Sequence, residues 1–155
     1  MSQPHRARRL ALQGLCCLDA QGSRVFDLVD LFIDDSKEMP ETAAAARRML
    51  HEVFADRDKC DSLLAPHAHH WELGRLAMVD RNILRLAVYE LRSGRAPVKV
   101  VIAEALRLAK EFSTTESPRF VNGVLDSVAK ELGKAASESA AQTGPDDKPD
   151  LNKQD

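Results

Sequence analysis

Between Leu76 and Gly94 the sequence reads LAMVDRNILRLAVYELRSG, and its apolar residues fall on two adjoining stripes. Leu76, Val79, Ile83 and Leu86 make one stripe; Leu84, Ala87, Val88 and Leu91 make the other. Spacings of three and four put side chains on one helix face. A helix apolar over so wide an arc has to be covered by other helices on most of its circumference. This segment therefore predicts a helical bundle with itself near the centre, ended by Gly94 and Pro97.

The rest of the chain repeats the pattern. Residues from about 5 to 21 predict a first helix, with Ala7, Leu10, Ala11, Leu15 and Leu18 as its buried stripe. Gly22 suits its C-terminal end and Ser23 the start of the next helix, where Phe26, Val29 and Ile33 share a side. Pro40 suits the first turn of a third helix carrying Leu50, Val53 and Phe54. A break or a fourth helix follows through DSLLAPHAHHW. In VKVVIAEALRLAKEF, Val101, Ala105, Leu108 and Phe112 recur at helical spacing. The last helix starts at Ser117 and Pro118, buries Val121, Val124, Leu125, Val128 and Leu132, and closes at Gly133. The fold class is all-α: about seven helices in two packed bundles. Aromatic residues are only 5% of the chain, and no β alternation or internal repeat appears. Residues 1–134 form the helical domain. Residues 135–155 lack periodicity, carry a net charge of −3, and read as a disordered acidic tail.

One pair breaks the helical pattern. Asn122 and Gly123 lie side by side inside the last helix, where a glycine costs about 1 kcal/mol relative to alanine. The expectation is a close approach: Gly123 removes a side chain at a tight helix contact, and the Asn122 amide bonds to backbone across it.

The charges narrow the function. A net charge of −2 does not mark the whole chain as a nucleic-acid binder, but His5, Arg6, Arg8 and Arg9 cluster at the start. Arg6 and Arg9 share a second face of the first helix with Gln13 and Cys16. Arginines oppose the helix dipole at that end, and a phosphate backbone would offset the cost. Three cysteines, Cys16, Cys17 and Cys60, include no C-x-x-C, which fits a reducing cytosol and no zinc site. Cys16 and Cys17 read as packing and surface residues, and His67, His69 and His70 as solvated histidines near a helix end. No P-loop, G-x-S-x-G or G-x-G-x-x-G occurs. No catalysis, cofactor or metal is expected, and no run reaches membrane-spanning length.

WELGRLAMVDRNILRLAVYEL, then APVKVVIAEALRLAKEFS, then ESPRFVNGVLD, in that order, resembles the NusB transcription antitermination factors. RARRLALQGL resembles the family's arginine-bearing R-x-x-A-x-x-A-L-Q-x-L start. The resemblance implies a cytoplasmic bacterial factor that binds boxA RNA of ribosomal RNA transcripts together with the ribosomal protein NusE. That complex joins RNA polymerase and resists termination. It implies an RNA face of Arg6, Arg8, Arg9, Gln13 and Cys16, and a partner face of Asp80, Glu116 and Phe120, with Asn122 and Gly123 in the F-V-N-G motif. Asp80 is expected as an exposed carboxylate. Many relatives have tyrosine at Cys16, so base stacking on a ring is absent here. Arg9 stands where some have glutamate, and Ala103 where many have asparagine. Two alternatives are a homodimer that hides the basic face, and a module like the N-terminal part of ribosomal-RNA cytosine methyltransferases. The second is disfavoured because the sequence shows no glycine-rich cofactor loop or catalytic cysteine motif.

Overall fold

The computed structural model describes residues 3–68 and 75–142. Seven α-helices occur among them and no strand. They are α1 (Gln3–Gln21), α2 (Phe26–Asp34), α3 (Pro40–Ala55), α4 (Arg57–Leu64), α5 (Met78–Ser93), α6 (Val98–Phe112) and α7 (Ser117–Gln142). Short 3₁₀ turns, Ser23–Val25 and Ala65–His67, precede α2 and follow α4.

Helix α1 lies along α3 and α2, while α6 and α7 pack on one another. Helix α5 touches α1, α3, α4, α6 and α7 and so joins the two groups. Its double stripe explains that position: Ile83, Leu84, Leu86, Ala87 and Val88 are all buried. The stripes expected for α1 and α7 are buried as well, except that Leu132 is half-buried. Left-handed Gly94 (φ 65°) ends α5 and returns its N–H to the Glu90 carbonyl at 3.2 Å, closing the last turn.

Two boundaries differ from expectation. Ser23 opens a 3₁₀ turn and its side chain caps nothing. Helix α7 does not close at Gly133 but runs on to Gln142. A glycine in right-handed conformation merely lowers propensity, and the stretch KAASESAAQ that follows is rich in alanine, the best helix former. The rest of the expected acidic tail, 143–155, lies outside the described residues, as do His69 and His70.

Candidate nucleic-acid and partner interface

The outward face of α1 carries Arg6, Arg9, Gln13 and Cys16, as helical spacing requires. Arg6 and Gln13 are exposed; Arg9 and Cys16 are half-buried. Arg6 reaches Glu38 at 3.5 Å. Arg9 reaches Glu111 at 3.1 Å and sits over the Phe112 ring, 5.5 Å from its centre. Burial, with the Asp19 carboxylate close by, pushes the Cys16 thiol up to about 11, so it stays protonated and packs as a small apolar group.

Arg8 does not belong to this face. It is 6% exposed and turned toward α5, where Nε donates to Glu90 Oε1 and Oε2 at 3.1 and 3.0 Å and Nη2 donates to Oε1 at 2.9 Å. Two residues along a helix turn the side chain by about 200°, so Arg6 and Arg8 cannot share a surface. The expectation of a phosphate contact from Arg8 is corrected on that ground: a guanidinium forked on a buried carboxylate is not free to meet a phosphate.

His5, adjacent in sequence to these arginines, is fully buried. Nδ1 lies 2.5 Å from Glu104 Oε2 and Nε2 lies 2.8 Å from Glu111 Oε1. Glu104 also pairs with Arg107 at 3.2 Å. Burial raises the Glu104 carboxyl, but its hydrogen bond and charge contact with His5, then Arg107 and Arg8, outweigh that and hold it below the ordinary value. The first turn of α1 is thus fastened to α6, which fixes where Arg6 and Arg9 stand.

The second expected face divides in the same way. Glu116 is exposed and Phe120 half-buried at the start of α7. With Arg119, Gly123, Val124 and His67 they line an open groove. His67 pairs with Glu131, further along α7. Asp80, expected as an exposed carboxylate, is only 9% exposed. It accepts hydrogen bonds from Ser113 Oγ at 2.6 Å and Ser117 Oγ at 3.0 Å, so it ties the start of α5 to the end of α6 and the start of α7. A carboxylate in a first turn finds hydroxyls wherever neighbouring helix ends converge on it.

The Asn122–Gly123 expectation is also corrected. Both residues are exposed, and a Cβ built on Gly123 meets nothing within 4 Å. No close helix contact explains the pair; Gly123 lowers the floor of the α7 groove instead. The tight glycine is Gly14. A Cβ there would lie 3.0 Å from Val29 Cγ1 and 3.1 Å from both Leu50 methyls. Spacing held the signal, because Gly14 stands four residues after Leu10 and four before Leu18 on the buried stripe. Gly123 stands about 200° round the helix from Val121. His5 and Glu90 carried no comparable signal, since their partners are remote in the chain.

Among the described residues, no group of three or more His, Cys, Asp or Glu is placed to hold a metal ion. Nor is any helix there long and apolar enough to cross a membrane.

Comparison with known proteins places this geometry. The NusB family model matches residues 5–130. The transcription antitermination protein NusB of Solibacter usitatus is 42% identical over 134 residues, covering 85% of this chain and 92% of the relative. That of Symbiobacterium thermophilum is 40% identical over 145 residues, 88% and 95% of the two chains. Among solved structures, Thermotoga maritima NusB superposes with a TM-score of 0.73 at 32% identity, over 84% of this chain and 92% of the other. A crystal structure of the antitermination factors NusB and NusE in complex with double-stranded RNA matches with a TM-score of 0.71 at 25% identity, over 84% and 98%. The outward arginines of α1, the α5 stripes and the F-V-N-G turn of α7 all fall within the matched span, and the chain belongs to the NusB family.

Proposed function

We propose that this protein is a transcription antitermination factor: it binds boxA-type RNA together with the ribosomal protein NusE, and the assembly helps RNA polymerase resist termination on ribosomal RNA transcripts. Similarity to antitermination proteins along most of the chain supports this reading. The observation that carries it is the division of the α1 basic cluster. Arg8 is committed to Glu90 inside the fold, while Arg6, Arg9 and Gln13 face outward. Arg6–Glu38 is a partly exposed pair and Arg9–Glu111 a half-buried one; Arg6 is the side chain that a phosphate can most readily take from its carboxylate. Cys16 brings no ring to stack on a base, so recognition rests on phosphate contacts and on Gln13. The protein acts by binding, without cofactor or catalysis, in the cytoplasm.

On the second face, Glu116 supplies an exposed carboxylate and Phe120 an apolar anchor for NusE. Gly123, which lines the same groove without a side chain, lets that partner approach the α7 backbone.

Fluorescence anisotropy with a boxA-like RNA, with and without NusE, tests the reading. Replacing Arg6 and Arg9 with alanine should weaken binding and lower the salt slope by about 1 to 2 units. Glu116→Lys and Phe120→Ala should weaken NusE binding while leaving RNA binding by the free protein intact. Equal affinity for boxA and a scrambled RNA, even with NusE present, would overturn the assignment.

A further inference from the structure

One carboxylate of α6 holds two side chains of α1. Glu111 Oε1 lies 2.8 Å from His5 Nε2, and Glu111 Oε2 lies 3.1 Å from Arg9 Nε. The other ring nitrogen of His5, Nδ1, faces Glu104 Oε2 at 2.5 Å. An ionised carboxylate only accepts hydrogen bonds, so a ring nitrogen turned to one must carry a proton. His5 has both nitrogens turned to carboxylates and no exposed surface at which water could take over either bond. The geometry calls for the doubly protonated imidazolium, and Glu104, held below its ordinary value, is the ionised partner that this form needs.

The surrounding charges say what the proton does. On α1, Arg8 forks on Glu90 of α5 and comes within 3.9 Å of Glu104. On α6, Arg107 pairs with Glu104. From α3, Arg48 and Glu52 line the groove beside Pro4 and Arg8, and neither is paired with His5, Glu104 or Glu111 among the described residues. Glu104 therefore keeps cations at hand whatever the state of His5. Glu111 divides its charge between His5 and Arg9. With the proton in place, two cations draw on that carboxylate and each is held less firmly. Without it, the charge falls on Arg9, an outward arginine of the same α1 face as Arg6.

We propose that protonated His5 is a positioning residue for the RNA face of α1: by taking up part of the Glu111 charge it loosens Arg9 for a phosphate, and its neutral form returns Arg9 to Glu111. The proposal rests on the RNA-binding reading above and adds what sets the availability of Arg9. His5 is buried and acts only through Glu111. RNA affinity should fall as the ring loses its proton.

Fluorescence anisotropy of the whole chain tests this with boxA-like RNA and with a scrambled RNA of the same length, from about pH 5.5 upward. Nitrogen-15 spectra of the histidine rings follow His5 in the same samples. His5 should show two N–H groups at the acid end, and affinity should fall about three- to fivefold as one is lost. The salt slope should shrink by about one unit in step. His5→Gln, which keeps a hydrogen-bonding side chain without the charge, should bind weakly at every pH. Glu111→Gln should bind tightly at every pH, because the charge that retains Arg9 is gone. Arg9→Ala should be weak throughout, and adding His5→Gln to it should cost nothing further. A substitution that merely loosened the fold would lower affinity in the Arg9→Ala background as well. Glu111 and Arg9 are partly exposed, so the pH profiles of their variants decide the matter even where His5→Gln unfolds. A neutral ring at the acid end, a ring that keeps both N–H groups until the chain unfolds, or an affinity unchanged as the ring titrates would overturn the proposal. So would a pH effect that survives in Arg9→Ala or Glu111→Gln, which would assign it to another histidine. Equal binding of the two RNAs would count against boxA recognition alone, since phosphate contacts are blind to sequence and the pH effect is read on either RNA.

Discussion

Arg8 and Glu90, 82 residues apart in the chain, meet in a buried forked ion pair that fastens α1 to α5. The carboxylate takes three hydrogen bonds between 2.9 and 3.1 Å from one guanidinium. Removing either partner leaves a buried charge without compensation, whereas replacing both with apolar groups removes the desolvation cost along with the attraction.

Arg8→Ala should therefore destabilise the fold by about 3 to 5 kcal/mol, and Arg8→Met/Glu90→Leu by far less. Arg6→Ala, on the exposed side of the same helix, should change stability by no more than about 0.5 kcal/mol. Urea unfolding of the three variants checks this, and similar losses from Arg6→Ala and Arg8→Ala would contradict the division of the cluster.

Asp80 should behave as a structural clamp. Asp80→Ala leaves the Ser113 and Ser117 hydroxyls without their charged acceptor and should cost about 1.5 to 3 kcal/mol. Asp80→Asn keeps an acceptor oxygen and should cost less. Loss of partner binding on charge reversal at Asp80 should come with a lowered melting temperature, while reversal at exposed Glu116 should leave the melt unchanged. A stable Asp80→Lys protein would remove the clamp.

Gly14 and Gly123, both inside helices, should respond to alanine with opposite signs. Gly123→Ala enters open space and should gain up to about 1 kcal/mol from helix propensity. Gly14→Ala gains the same propensity but must displace Val29 or Leu50, both buried, at an overpacking cost of about 1 to 3 kcal/mol. A net loss is expected, and a larger one for Gly14→Leu. Thermal melts of the three variants are sufficient.

Stability should fall on the acid side through two carboxylates. Burial raises Asp19, but hydrogen bonds from Asn82 and Arg81 and the charges of Arg81 and Arg85 outweigh it and hold its pKa below the ordinary 3.8. Glu104, bonded to His5, lies below its ordinary 4.5. A pKa lower in the folded chain means that the unfolded chain binds more protons in this window. The stabilisation is complete above the ordinary values, and it is lost as pH falls through them toward the folded ones. Asp19→Asn and Glu104→Gln should each flatten the decline of unfolding free energy below about pH 4.5. An unchanged slope in both variants would mean that neither group is held ionised by its partners.

Local spacing decided much of this protein in advance. A helix forms and buries one stripe because backbone geometry repeats every 3.6 residues, so the stripes of α1, α5 and α7 were legible from sequence alone. The central place of α5 followed from the width of its apolar arc. The same geometry, applied to charged residues and glycines, already separates Arg8 from Arg6 and turns Gly123 away from the core. What spacing cannot supply is the partner. Glu90 for Arg8, Glu104 and Glu111 for His5, and Ser113 and Ser117 for Asp80 all stand on other helices or at their ends, more than 30 residues away. Whether a charge is exposed or clamped depends on which carboxylate or hydroxyl the packed helices bring to it. Helix packing also decided that Val29 and Leu50 press on Gly14, while Leu28, Leu31 and Phe32 on the same α2 are left facing water. Apolar periodicity selects the buried face of each helix, but the angle and distance at which two helices meet set how much of that face is covered.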